Sequence, residues 1–493
     1  MYQLGGLDTL FLNLETNAVP MHVGSLTILN PKSDRADLSF RGIRGIVEAR
    51  LHLLPMFRRR LLTTPLNLDQ PYWIEDPDFD IERHVRHRVL PAPGGDRELA
   101  DLVSDIMATR LDRERPLWKL YYIEGLKGGR VALLTKLHHA CVDGVSGAEL
   151  LTHLLDVEAT PRRIEPPETP WIPDEFPPPW RVAWVTARHL LARPGEMLRL
   201  LRETTPIAMA VGRTALAQRR ARQAARPEQA HDGNAAPRTR FNCTITSRRS
   251  YAFRSLSLAD VKTVKNTYGV SVNDVILCLC AQALREYLAE LGELPDSALI
   301  AGVPMSVRSD AERGSGGNRV TMARTSLFTD IADPVERLGA LHRRMGDVKS
   351  GMKAIPASLM LDWAHAPPPA VMTQAARLYE NYGVQDHMSP PFNVVISNVP
   401  GPSRPLYLNG AEVEASFPVS IPYHGLACNI TVFSYRDSLD VGITAHRPTV
   451  PDPGRLIDGM RRALASLKRR ARREQQEPPP AAAKSARARK RRA

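Results

Sequence analysis

The segment KLHHACVDGVSG, residues 136–147, constrains this chain more than any other. It closes an apolar run, RVALLTKLHH (130–139), that reads as a β-strand, and it opens the amphipathic helical pattern GAELLTHLLD (147–156). A strand feeding a helix through a short turn is the junction at which α/β folds present reactive side chains to a cleft. A histidine at such a strand end, with an ordinary pKa near 6.5, can take up a proton at neutral pH, and His139 is placed for that. His138 points to the opposite face of the strand and reads as a packing or hydrogen-bonding residue. Asp143 lies beyond the turn, poorly placed to relay a proton to the same ring. It reads instead as a helix cap or an arginine partner that holds the turn. Gly144 supplies the backbone freedom that a sharp turn demands.

The rest of the chain divides around this junction. HVGSLTIL (22–29), PYWIED (71–76) and KLYYIEGL (119–126) read as strands, the last joined to 130–139 by the turn at Gly128 and Gly129. RGIRGIVEARLHLLP (41–55) and RELADLVSDIMATRLD (97–112) repeat apolar residues at helical spacing. The stretch from Pro161 to Pro179 is dense in proline and reads as an extended linker. A basic helical tract follows over 180–226. It reads either as a crossover packed on the body or as an amphipathic helix lying in a membrane interface. Near Phe241 a second mixed half begins: strands at SYAFRSLSL, ALIAGVPMSV, NRVTMARTSLF and FNVVISNVPGP, a hairpin turning near Arg436–Asp437, and long helices between them. The divisions expected are 1–160, a linker at 161–240, 241–474, and a basic tail at 475–493.

Net charge is +13, but its location matters more than its size. From Lys468 to Ala493 eleven basic residues face only Glu474 and Glu477, a net +9, which leaves the preceding 467 residues at +4. The tail beyond Gln475 carries no large apolar residue and reads as disordered, either a solubilising extension or a polybasic contact for an anionic surface. The body holds no nucleic-acid-binding motif, so nucleic acid is not the expected partner. No run approaches the roughly 20 apolar residues of a membrane span. The N-terminus is acidic rather than basic, which excludes a secretory signal. Five scattered cysteines fit reduced thiols in a cytoplasmic protein, peripheral on the inner membrane or lipid droplets if the basic segments act as anchors.

HHxxxDG in this setting resembles the CoA-dependent acyltransferase superfamily. More closely it is similar to the bacterial wax ester synthase/diacylglycerol acyltransferases. LDTLFLNLETNAVPMHVGSL (7–26), RPLW (115–118), PRTRFN (237–242), SVNDVIL (271–277), VPMSVR (303–308), GNRV (317–320) and NVVISNVPGP (393–402) carry the likeness across most of the chain. The resemblance implies an α/β fold of two chloramphenicol-acetyltransferase-like lobes with mixed sheets, joined by a helical linker and crossed by a substrate tunnel. It implies His139 as general base and Asp143 as the structural acid of the motif. Asn273 and Asp274 would support the site from the second lobe, and Trp118 would lie near the acyl path. Ser397 and Asn398 would face the base as oxyanion or substrate contacts. Glu15 falls in the family-like N-terminal segment, where a site-supporting role stands beside a surface or capping one. The implied reaction passes a fatty acyl group from acyl-CoA, a co-substrate, to the hydroxyl of diacylglycerol or a fatty alcohol. It involves no metal, no further cofactor and no acyl-enzyme.

Other readings of the same residues carry less. GVSGA (144–148) misses the last glycine of a nucleophile elbow, and GSGG (314–317) lacks the Lys-Ser/Thr ending of a phosphate loop. Cys278 and Cys280 lack the partner pairs of a metal site. An acyltransferase with a different acceptor, and a non-catalytic lipid-surface protein, stand as the alternatives.

Overall fold

The computed structural model describes residues 1–30, 37–141, 153–169, 171–195, 236–306, 320–351 and 368–476, with a few further helical positions between 198 and 205. Two six-stranded mixed sheets dominate it. In the first, the strands run in the order Tyr407–Leu408, Ala411–Val419, His22–Asn30, Val131–His138, Trp118–Glu124 and Val85–Val89. In the second, the order is Val320–Ser326, Ile300–Ser306, Val394–Val399, Cys428–Tyr435, Ser438–His446 and Arg249–Ser257. A small three-stranded sheet of Tyr2–Gln3, Tyr72–Glu75 and Arg59–Leu62 flanks the first half. The α/β class expected from the alternating patterns is the class observed.

The elements follow from local chemistry. Val131–His138 is buried along almost its whole length, because it is central and covered on both faces. Helix Asp96–Ala108 lies against strand Arg249–Ser257 of the other half, and buried Lys136 donates to the carbonyls of Ile106 and Thr109 at its C-terminal end. Helix Val272–Glu290 starts at a capping box between Ser271 and Asp274 and is apolar nearly all round, as the central helix of the second core must be. Helical spacing at 41–55 holds only to Arg50. Two short 3-10 turns follow, the second beginning at Pro55, which cannot extend a helix.

Strand Ala411–Val419 belongs to the second half by sequence but pairs antiparallel with His22–Asn30 in the first sheet. The first sheet is thus completed by a strand from beyond residue 240. Where it passes the second sheet, Asp440 accepts the Ser416 N–H at 2.8 Å and the hydroxyls of Ser255 and Ser438 at 2.6 and 2.8 Å. A Cβ on Gly442 would stand 1.9 Å from the Pro418 carbonyl oxygen, so only glycine lets the two backbones approach this closely.

The segment before the second half is packed on the first half rather than strung between the two. Trp171 donates to Glu75 at 2.9 Å, and Arg58 and Arg60 lie over the rings of Trp171 and Phe176. In the helix at 179–195, Val182 and Thr186 are buried, and His189 and Arg193 reach Asp69 at 2.8 and 3.0 Å. The opposite face leaves Trp180, Trp184 and Leu191 exposed. Helix Gly454–Gln476 carries the first basic residues of the C-terminal end onto the second half. It buries Leu464 and Leu467, and its Lys468 and Arg470 pair with Asp260 and Asp333. Among the described residues no single helix is long and apolar enough to cross a membrane.

Candidate active site

His138 and His139 stand where the strand pattern predicts, at the end of Val131–His138 and the start of a single 3-10 turn. The sheet fixes the backbone of both. The N–H of His138 donates to Leu117 O at 3.0 Å, and that of His139 donates to Met21 O at 2.9 Å. Met21 pays for this contact with a left-handed φ of 50°, a strained conformation for a residue with a Cβ.

The two rings have different surroundings. The half-buried His139 ring lies flat on Phe11, with centroids 3.9 Å apart and planes 25° from parallel. Its Nδ1 is buried without a partner among the described residues. Burial pulls its pKa down to about 4, so at neutral pH the ring is uncharged and able to accept a proton. His138 is fully buried, and its Nδ1 accepts the Ala140 N–H at 3.1 Å, which leaves the proton on Nε2. Its pKa is held well below the ordinary value by burial, and next by Arg113. His138 is thus a packing residue, opposite His22 in the sheet register and edge-on to its ring at 5.8 Å.

Beneath this pair lies a buried polar cluster. Glu15 is not a surface residue; it follows helix Gly6–Leu14 as its C-cap, and its carboxylate is not free. It is buried, accepts from Arg110 and Arg113 at 3.0 and 2.6 Å, and sits 3.7 Å from His22 Nε2. His22 Nε2 accepts the Leu111 N–H at 3.4 Å, and burial keeps this ring neutral as well. Phe11, His22, Arg110 and Arg113 were not singled out from sequence. The available signal was the pairing of an isolated glutamate in 7–26 with the arginine-rich RLDRERP (110–116), which no local pattern links.

Trp118 is a core residue. Its ring is sandwiched between Phe57 and His84 at 4.4 and 4.6 Å, and its Nε1–H donates to Phe57 O at 2.7 Å. Asp274 accepts from the Ser271 N–H at 2.9 Å and from His342 Nδ1 at 2.8 Å. Neither it nor the half-buried Asn273 bonds to His139. Ser397 and Asn398 occupy the strand Val394–Val399, paired with Thr431 and Val432, and their side chains make no hydrogen bond among the described residues. Asp143 and Gly144 lie outside the described residues, as do GSGG (314–317) and all but the end of the helix at 147–156. A cavity of about 10 Å³, no more than one water wide, separates Met21 and His22 from Arg249 and Thr444 of the second half.

Comparison with known proteins bears on this geometry. The wax ester synthase/diacylglycerol acyltransferase catalytic domain matches residues 4–276, and the WS/DGAT C-terminal domain matches 316–468. A Mycobacterium tuberculosis protein named as a diacylglycerol O-acyltransferase is 36% identical over 467 residues, covering 94% of this chain and 98% of its own. The solved wax ester synthase/diacylglycerol acyltransferase from Marinobacter aquaeolei VT8 is 33% identical, with a TM-score of 0.66 over 95% of this chain and 99% of that one. The trichothecene 15-O-acetyltransferase of Fusarium sporotrichioides shares the fold alone, at 12% identity and a TM-score of 0.56 over 94% of this chain and 95% of that one. With a neutral histidine at the strand end and matches across both halves, this chain is an acyltransferase belonging to the wax ester synthase/diacylglycerol acyltransferase family.

Proposed function

We propose that the protein transfers a long-chain fatty acyl group from acyl-CoA to the hydroxyl of diacylglycerol, forming triacylglycerol, and to fatty alcohols, forming wax esters. The observation that carries the reading is the neutral His139 at the strand end, in a chain whose relatives bear these activities in their names. His139 takes the hydroxyl proton as the acceptor oxygen attacks the thioester carbonyl, and the carbonyl electrons move onto oxygen. Donors around the site stabilise that oxyanion, with Ser397 and Asn398 the candidates. The carbonyl re-forms, the carbon–sulfur bond breaks, and the imidazolium returns its proton to the CoA thiolate. Low basicity is the cost of a buried histidine. Its gain is that no proton has to be removed from the ring at neutral pH.

The exposed Trp180, Trp184 and Leu191, with Arg181 and Arg188 beside them, support work at a lipid surface from the cytoplasmic side. The test is labelled palmitoyl-CoA with an acceptor panel, separated by thin-layer chromatography. Label in triacylglycerol with diacylglycerol, and in wax ester with hexadecanol, is expected, with one CoA released per ester. Label only with small alcohols would replace the acceptor. Liposome binding without CoA release would replace catalysis by a purely lipid-surface role.

A further inference from the structure

A cavity of about 390 Å³ opens at the outer edge of the first sheet, beside strand Val85–Val89. Arg83, Arg86, Arg88, Arg115 and Lys119 surround it, and Asp112 is the one carboxylate in its lining. Arg83 and Arg115 are paired, with Asp80 and Asp112, each at 3.1 Å. Among the described residues, Arg86 and Arg88 donate only to backbone carbonyls, those of Glu82 and His87. Lys119 is half-buried and has no hydrogen-bond or ion-pair partner among the described residues. Burial, and next Arg86, pull its pKa below the ordinary lysine value. His84 on the wall is kept neutral, its pKa brought down to about 4 by burial, and adds no charge. Like charges gathered round a concavity repel one another until an anion enters. The volume is in the range of small-molecule sites.

The place of the cavity ties it to the reaction. Its floor, Pro116 and Trp118, flanks Leu117, whose carbonyl accepts the N–H of His138. Leu111, also in the lining, gives its N–H to His22. One segment, 111–118, therefore forms the cavity on one side and braces the histidine pair on the other.

We propose that this cavity holds the phosphorylated adenosine end of the acyl-CoA donor, with the Arg86 and Arg88 guanidiniums and the Lys119 ammonium on its phosphates. The assignment rests on acyl-CoA being the donor. Guanidiniums bind phosphate through two parallel N–H bonds, and the ammonium acts as a point charge. Bound phosphate at Lys119 adds counter-charge where Asp112 is the one carboxylate in the lining. Placing the nucleotide on segment 111–118 leaves the pantetheine arm and thioester to run past it toward His139.

The experiment compares palmitoyl-CoA with palmitoyl-pantetheine, which lacks the nucleotide, in the full-length enzyme and in Arg86→Gln/Lys119→Gln. Arg86 is exposed and Lys119 half-buried, and thermal unfolding checks that the double variant folds. The ratio of kcat/KM for the two donors is expected to fall by about tenfold or more in the double variant, equivalent to about 1.4 kcal/mol. It is expected to stay within about threefold in Arg86→Lys, which keeps the charge. Adenosine 3′,5′-bisphosphate should inhibit the wild type with palmitoyl-CoA, and less so the double variant. An unchanged ratio in a folded double variant overturns the cavity assignment and leaves the acyl-CoA reading intact. Equal inhibition by inorganic phosphate at the same concentration overturns it too, as the mark of a general anion patch. A wild-type enzyme that used neither donor would overturn the acyl-CoA reading itself.

Discussion

Phe11 and His139 stack face to face at 3.9 Å, so helix Gly6–Leu14 sets the plane of the His139 ring, the base proposed above. His139→Ala is expected to lower transfer by about a thousandfold, the scale of a lost general base, with thermal unfolding close to wild type. Phe11→Ala should leave the base in place but free its orientation. A drop of about tenfold in kcat with little change in KM is expected from steady-state kinetics. Near-wild-type transfer by a folded His139→Ala enzyme would remove the base from the mechanism.

Glu15 balances two arginines whose heads reach solvent while its own carboxylate does not. Glu15→Gln keeps the shape and removes the charge, leaving Arg110 and Arg113 short of a counter-ion beside His22 and His138. A loss of about 2 kcal/mol in urea unfolding is expected. Arg110→Ala, at the more exposed partner, should cost less.

His22, His138 and His139 are all held neutral by burial, their pKa values below the ordinary 6.5. Below pH 6.5 the unfolded chain gains protons that the folded one refuses, so stability is full above that pH and is lost as pH falls toward about 4. His139 contributes about 1.4 kcal/mol per pH unit across this window, and His22 and His138 shift stability in the same direction. Urea unfolding at pH 7.5 and 5.0 should differ by several kcal/mol. Because His139 keeps its base form down to about 4, kcat/KM of the protein still folded should stay flat between pH 8 and 5. A fall centred at 6.5 would show that the ring is solvated.

Arg50 and Asp156 form a buried two-pronged pair at 2.8 and 2.9 Å, and Arg50 also donates to Leu154 O. Asp156 in turn exchanges two backbone bonds with Tyr407. The pair thus anchors the chain just after the HHxxxDG segment. Arg50→Met should cost about 3 kcal/mol, since it leaves a carboxylate buried with only the half-exposed Arg162 nearby. Arg50→Met/Asp156→Leu should recover most of it, measured by the same unfolding experiment.

Elements that rest on local periodicity were legible. The central strand 131–138 announces itself by its apolar run, and the helix at 272–290 by its length and its apolar stretch from Val275. Strand Val85–Val89 was missed because its VRHRV exposes four of five residues on a sheet edge, where no buried face imprints an alternation. The same exposure places Arg86 and Arg88 at the cavity. Strand Ala411–Val419 was missed, since its partner lies almost 400 residues earlier and its pairing leaves no local mark. His139 could be read because strand end and motif coincide. The Glu15 cluster could not, because two segments about 95 residues apart build it.

The strand 411–419 also makes the first sheet hostage to the order of synthesis. At 5–20 residues per second, tens of seconds separate completion of strand Val131–His138 from the arrival of its sheet's missing member. Throughout that interval the His22–Asn30 strand offers an open row of backbone donors and acceptors to any neighbouring nascent chain. The two halves are therefore not separable modules. A chain ending anywhere between residues 140 and 410 lacks the strand that completes the first sheet.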